Sequence, residues 1–159
     1  MSVQLDTIDW RILKELQSSG RITNVTLAHR VGLSSPACLR RVRALEEAGL
    51  ISGYSVLLDE PGLGFSLTAY VMVGLYSQSE TELHAFENLI LGWPMVREAY
   101  MLSGEHDFIL KCVAEDLGTF QDFILNELTS ATNVESVKTF LTIRRVKREP
   151  GVPIAVAPR

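Results

Sequence analysis

The chain has 159 residues, enough for one ordinary domain or two small ones with a packed core. A hydrophobic content of 47% against 21% charged residues excludes a disordered protein. No apolar run approaches the ~20 residues that span a bilayer, and the first ten residues lack the basic flank and apolar core of a signal peptide. We therefore expect a cytoplasmic protein without a membrane partner.

The net charge of −4 is distributed unevenly along the chain. Residues 61–159 carry eight Lys and Arg against twelve Asp and Glu, whereas the stretch from Gly20 to Leu45 contains no acidic residue. The five arginines of that stretch are Arg21, Arg30, Arg40, Arg41 and Arg43. A basic surface on an otherwise acidic protein suits docking against phosphates, although a solvated helix face would explain the charge equally well.

Residues 1–58 predict three helices and a β-ribbon. Asp6 and Thr23 are suitable caps for the first two helices, and Gly32 ends the second in a left-handed conformation. The predicted elements are helices over residues 6–17, 23–31 and 34–48, and a ribbon over 50–58 with a Ser-Gly turn. This order of elements, with a short turn before the third helix, predicts a winged helix-turn-helix domain.

The third helix is the predicted DNA-reading element, with Pro36 in its first turn. A buried stripe of Leu39, Val42 and Leu45 would direct its arginines outwards. Its N-terminal end would enter the major groove, where hydroxyl and N–H groups suit phosphates and Arg suits guanine. The expected DNA contacts are Arg21, Asn24, Ser34, Ser35, Ala37, Arg40, Arg41 and Arg43. A three-helix interaction module that never contacts DNA is the alternative.

A hinge over residues 59–66 separates this domain from a second one over 67–148, and a proline-containing tail over 149–159 is expected to be extended or loose. Strands over 67–76, 95–102, 106–114 and 134–146 alternate with helices over 79–93 and 117–128. This β-α-β-β-α-β order predicts a ferredoxin-like domain, and the whole chain is of the α+β class. Ile109 and Val113 would lie on the sheet face away from the helices, where a second copy of the sheet is the simplest cover.

Two strings, LDTIDWRILKELQSSGRITNVTLAHRVGLS and CLRRVRALEEAGLISGY, resemble the DNA-binding domain of the Lrp/AsnC, or feast/famine, regulators. The second half resembles the ligand domain of that family, and the resemblance covers roughly residues 3–148. It implies a transcription regulator that dimerises and assembles into tetramers or octamers, with effector pockets between dimers. It also implies binding of an amino acid or a related small molecule, and regulation of the genes for its metabolism.

The turn after residue 102, Ser103-Gly104-Glu105-His106-Asp107-Phe108, is the candidate effector site. Gly104 allows a ligand to approach the backbone closely, and consecutive N–H groups of the turn can hold a carboxylate. Asp107 or Glu105 could bind an ammonium group. A plain hairpin with solvated acids is the alternative from the turn alone. With the positions that the resemblance implies, the expected effector residues are Met101, Ser103, Gly104, Glu105, His106, Asp107, Leu117, Phe140 and Thr142. His106 departs from the family's usual Tyr or Phe, which leaves the identity of the effector open.

No enzyme, metal or cofactor is predicted. None of the three histidines stands at ligand spacing from another histidine or a cysteine, and neither a Ser/His/Asp set nor a phosphate loop is indicated. Cys38 and Cys112 are expected to be small buried hydrophobic residues. Two alternatives stay open: a tetrapyrrole (siroheme-type) decarboxylase of the same two-domain architecture, and a module that only assembles proteins through its β-sheet.

Overall fold

The computed structural model describes residues 4–154, which form two compact units. The first contains residues 4–57 and 147–154, and the second runs from Leu58 to Val146. Each unit has its own hydrophobic core. The expected hinge over 59–66 thus belongs to the second unit, and the described part of the tail belongs to the first. No helix within residues 4–154 combines the length and apolar character needed to cross a bilayer.

The first unit contains the three expected helices, α1 (Thr7–Ser18), α2 (Asn24–Val31) and α3 (Ser35–Glu47). The Asp6 carboxylate accepts hydrogen bonds at the start of α1, and the Asp9 side chain accepts the Asp6 N–H in return, which forms a capping box. The Thr23 hydroxyl caps α2, and Gly32 ends it with φ +76°. The predicted positions and caps of these helices are confirmed.

The buried stripe of α3 differs from the predicted one. Cys38, Val42 and Leu45 face the core, whereas Leu39 is 38% exposed, so its predicted burial was wrong. At about 100° per residue, Cys38, Val42 and Leu45 fall within an arc of about 60°, and Leu39 lies outside it. Cys38 and Cys112 are both fully buried, as predicted, and burial raises the pKa of each thiol.

The segment after α3 does not form the predicted β-ribbon. Leu50 and Ile51 both donate their N–H groups to the Leu45 carbonyl, and no strand hydrogen bonding follows among residues 52–58. The apolar side chains of Val56 and Leu57 are more than half exposed. A two-stranded ribbon is marginal in water without further packing, which explains why this one does not form within a single chain.

The second unit is an antiparallel four-stranded sheet with helices packed on one face. Its strand order is β2-β3-β1-β4, so the ferredoxin-like prediction is confirmed. The last strand ends earlier than predicted, at Leu141. The elements are β1 (Leu67–Leu75), α4 (Glu80–Gly92), β2 (Val96–Met101), β3 (Phe108–Ala114), α5 (Leu117–Phe123), a π-helical turn (Ile124–Leu128) and β4 (Val134–Leu141).

The core of this unit lies between the sheet and the helices. Alternate residues of β1 and β3, including Val71, Val73 and Leu110, are completely buried there. The ring of Phe86 contacts Trp93 and Phe108 with centroid distances of 5.9 and 5.0 Å. This packing joins α4 to the two central strands.

The opposite face of the sheet is apolar and only partly covered. Ile109 and Val113 are half-buried there, in alternation with the fully buried residues of β3, as predicted. Met72 pairs with Ile109, and Tyr70 pairs with Phe140, whose side chain is 48% exposed. A face of this composition is typical of a protein interface.

The observed buried stripe of α3 can be tested with two leucine-to-alanine substitutions, one on the buried side of the helix and one on the exposed side. Leu45→Ala removes a side chain that is 3% exposed and should lower the free energy of unfolding by about 2–5 kcal/mol. Leu39→Ala, on the exposed side of the same helix, should cost less than about 1 kcal/mol. Urea unfolding followed by far-UV circular dichroism measures both, and equal losses would contradict the observed stripe.

Candidate DNA-binding surface and effector region

The N-terminal end of α3 offers hydrogen-bond donors to an anion. Ser34 is the N-cap residue, yet its side chain makes no capping hydrogen bond. Pro36, in the first turn, has no N–H to satisfy, and the N–H groups of Ser35 and Ala37 have no acceptor within the helix. Ser34, Ser35 and Ala37 were all predicted to contact DNA. They surround backbone N–H groups that have no acceptor in the helix, and such groups bind phosphate.

Arg40 and Arg43 lie one helical turn apart on the exposed face of α3. They line a shallow surface depression together with Pro36 and Leu39. Among residues 4–154, neither arginine takes part in an ion pair, so both guanidinium groups can reach a ligand outside the chain. Arg21 is also exposed, in the loop before α2.

Arg41 is positioned differently from its two neighbours. Its guanidinium group donates to the carboxylates of Asp6 and Asp9 at 2.7 and 2.8 Å, and only 32% of its side chain is exposed. Hydrogen bonds from the Asp9 N–H and from Arg41 lower the pKa of Asp6, and the two carboxylates raise the pKa of Arg41. The predicted DNA contact of Arg41 therefore competes with an ion pair that ties α3 to the start of α1.

Asn24 links the two helices of the helix-turn-helix. Its side-chain amide donates to the Ser35 carbonyl at 2.8 Å, so it fixes the start of α2 against the start of α3. Its Oδ1 is buried and has no partner within the described chain. This contact positions the N-terminal end of α3, and the predicted contact of Asn24 with DNA stays a prediction.

The turn between β2 and β3 projects from one end of the sheet. Met101 ends β2, and the Leu102 N–H donates to the Asp107 carbonyl at 2.8 Å, which closes the turn. Ser103, Gly104 and Glu105 are exposed at its tip. Gly104 has no positive φ, and a Cβ placed on it would meet no atom within 4 Å. The chain itself thus does not require a glycine here, and open space lies in front of the turn.

Asp107 and His106 face inwards from the same turn. The Asp107 carboxylate is only 9% exposed and accepts the Leu75 N–H at 2.7 Å, at the point where the register of β1 and β4 shifts. His106 is half-buried beside Gly74, where a Cβ would lie 4.0 Å from the His106 Nδ1. Two acids were proposed to bind an ammonium group. Glu105 is exposed, whereas Asp107 is buried and bonded to the Leu75 N–H.

The remaining predicted effector residues lie at the other end of the strands. Leu117 begins α5, directly after β3, and Thr142 follows β4, with its N–H and hydroxyl both donating to the Thr68 carbonyl. Phe140 lies on the open sheet face. The seven residues of β3 span roughly 20 Å at ~3.3 Å per residue, so a single chain does not bring these residues to the turn.

Leu117 borders an apolar groove of about 370 Å³. The sequence pattern did not predict this groove. The groove runs between α5, the π-helical turn and β4, and Leu125, in that turn, is 65% exposed. The π-helical turn was not predicted, because helical periodicity does not distinguish such a turn from an α-helix. The other lining residues are Phe120, Gln121, Ile124, Thr139 and Leu141.

Comparisons with known proteins agree with both units. A sequence model of winged helix-turn-helix DNA-binding domains matches residues 5–52, and a model of the Lrp/AsnC ligand binding domain matches residues 68–152. A helix-turn-helix with a basic, exposed third helix, joined to a ligand-binding domain, defines a DNA-binding transcription regulator. The protein belongs to the Lrp/AsnC family of these regulators, as the resemblance implied.

Individual relatives match over nearly the whole chain. A leucine-responsive regulatory protein of Rhizobium meliloti (strain 1021) is 60% identical over 145 residues, which cover 91% of this chain and 93% of the relative. The transcriptional regulator AzlB of Bacillus subtilis (strain 168) is 36% identical, with 97% and 98% covered. A crystal structure of a Neisseria meningitidis transcriptional regulator in complex with L-Met has a TM-score of 0.91 and 32% identity, with 96% and 98% covered.

These relatives are named as regulators of transcription, and they give no support to the decarboxylase alternative. The helix-turn-helix match likewise favours the regulator over a module that only assembles proteins. Among the described residues, no group of three or more His, Cys, Asp and Glu side chains could hold a metal ion.

The ion pair of Arg41 can be tested by titrating Asp6. In Arg41→Ala the pKa of Asp6 should rise towards its ordinary value of 3.8 and stay below it, because the bond from the Asp9 N–H remains. A lowered pKa means that ionised Asp6 stabilises the fold above pH ~4 and that this contribution disappears as the pH falls through the lowered value. Carboxyl NMR titration measures the change. Arg40→Ala is the control and should leave Asp6 unaffected, so an identical shift in both variants would refute the pair.

Proposed function

We propose that the protein binds double-stranded DNA in the cytoplasm as a dimer whose two α3 helices contact successive major grooves. The observation that carries the proposal is the exposed face of α3, which presents Arg40 and Arg43 beside the free N–H groups at Ser35 and Ala37. The donors at the helix end suit phosphate oxygens, and the arginines suit guanine edges or phosphates. In this proposal Arg41 acts by orienting α3 through Asp6 and Asp9.

The effector that we propose is an L-amino acid with an apolar side chain. The N–H groups around the exposed Gly104 would bind its carboxylate, and Glu105 would accept its ammonium group. The apolar groove beside Leu117 would accommodate its side chain. Two relatives support this class, since one is named a leucine-responsive regulatory protein and another was crystallised with L-Met.

The distance between the turn and the groove supports an effector site between copies of the chain. A single amino acid is far shorter than the roughly 20 Å spanned by β3, so the turn of one copy and the groove of another would have to meet. The open sheet face around Met72 and Ile109 would form the dimer, and further contacts would build tetramers or octamers. The effector would then shift the assembly or the DNA affinity only as far as it binds one state better than the other.

DNA binding by α3 is tested by electrophoretic mobility shift on promoter fragments across a salt series. Arg40→Ala and Arg43→Ala should each weaken specific binding by about tenfold, and each lost phosphate contact should reduce the salt dependence of log K by ~0.9. Arg97→Ala in the ligand-binding domain is the control and should bind as the unaltered protein does. Full affinity in both α3 variants would eliminate this surface as the DNA contact.

Effector binding is tested with the Gly104→Ala variant. A Cβ at Gly104 meets open space in the chain, so the thermal midpoint without ligand should not change. If an amino acid docks against this turn, the added methyl group should weaken its binding by about tenfold in calorimetric titration with a panel of amino acids. Gly92→Ala, where a Cβ also meets no atom within 4 Å, serves as the control. Unchanged affinity in Gly104→Ala would move the effector away from the turn.

A further inference from the structure

The described part of the tail is bound to the first unit by a pair of hydrogen bonds. The side-chain amide of Gln17, near the end of α1, donates to the Val152 carbonyl at 2.7 Å and accepts the Val152 N–H at 3.0 Å. Both backbone groups of one residue are thus paired with a single side chain, 135 positions away in the chain. The tail over 149–159 was expected to be extended or loose, and residues 155–159 lie outside the described residues. Residues 149–154 have neither helix nor strand, yet Gln17 holds them at Val152.

The tail lies over an apolar groove on the DNA-binding unit. One wall is formed by α1 side chains that include Trp10, Leu13 and Leu16, and the other by residues 50–54. Gly151, Val152 and Ile154 of the tail complete the lining of a space of about 460 Å³. Leu13 and Leu16 also pack on the core of this unit, so the groove continues the hydrophobic core outwards to the tail.

The tail sequence is suited to this position. Gly151 has φ +94°, and a Cβ on it would lie 2.3 Å from the Gln17 Oε1, so an L side chain there would break the amide pair. Pro153 restricts Val152 to an extended backbone, which presents the Val152 N–H and carbonyl to a partner. Pro150, before the glycine, further limits the conformations that the free segment could adopt.

We propose that the groove between α1 and residues 50–54 is a peptide-binding site on the DNA-binding unit, and that its ligand is the chain's own segment Gly151–Ile154. The chain passes between the two units at residues 57–58 and again at 146–147. The pair of hydrogen bonds between Gln17 and Val152, here called the clasp, therefore attaches the segment that follows β4 to α1, in addition to the covalent link at residues 57–58. A change that an effector causes in the ligand-binding unit can reach α1 through the clasp, and this part rests on the proposed function.

The clasp is tested in the full chain by hydrogen exchange of the segment 147–154. Gly151→Ala and Gln17→Ala should speed exchange of the Val152 amide by about tenfold or more. Gly64→Ala is the matched control, because Gly64 has a similar φ of +90° but a Cβ there meets no atom within 4 Å. In this variant the Val152 amide should exchange at the rate seen in the unaltered protein. A Val152 amide that already exchanges at the rate of an unstructured peptide in the unaltered protein would overturn the site.

The coupling role is tested in the same variants by DNA affinity with and without the amino acid found by titration. Gly151→Ala should keep its affinity for DNA within twofold and lose at least two thirds of the effector-dependent change in log K. A full effector response after the clasp is lost would overturn the coupling role. The exchange measurement uses neither DNA nor effector, so its result stands apart from any failure of the proposed function.

Discussion

The contact of Arg41 with Asp6 and Asp9 determines which side chains α3 leaves exposed. The two acids belong to the capping box that begins α1, so one guanidinium group joins the start of α1 to the middle of α3. The pair is partly exposed, so it adds modestly to stability and mainly fixes orientation. With Arg41 held in this way and Cys38 and Val42 buried, the outer face of α3 is left to Arg40 and Arg43.

A buried carboxylate has a comparable role in the ligand-binding unit. The Asp107 carboxylate accepts the Leu75 N–H, where β1 changes register, and so anchors the turn that precedes β3. Leaving that N–H unpaired would cost about 1–3 kcal/mol, a large fraction of the stability of a small domain. Ser103, Gly104 and Glu105 stay exposed at the tip of the anchored turn.

A single chain leaves several apolar surfaces exposed and the predicted effector residues far apart. The open sheet face is apolar, the segment after α3 exposes Val56 and Leu57 without strand pairing, and the residues predicted to bind the effector are divided between two ends of the sheet. Exposed apolar surface of this kind is unfavourable in water. Self-association would cover the apolar surfaces and could bring the divided residues together, which would make effector binding and assembly depend on each other.

The sequence alone determined the helices, the four strands of the second unit and the class of the protein, because capping residues, left-handed glycines and the periods of 3.6 and 2 are local signals. It wrongly predicted a ribbon over residues 50–58, because strand pairing depends on partners that a local pattern does not specify. It also identified the basic stretch around α3 and the turn at residues 103–107. Only the tertiary structure decided that Leu39 is exposed, that Arg41 is paired, that Asp107 is buried in the sheet and that Gln17 holds the tail. Those outcomes depend on contacts between residues as many as 135 positions apart, and no local pattern encodes which of several similar side chains meets a distant partner.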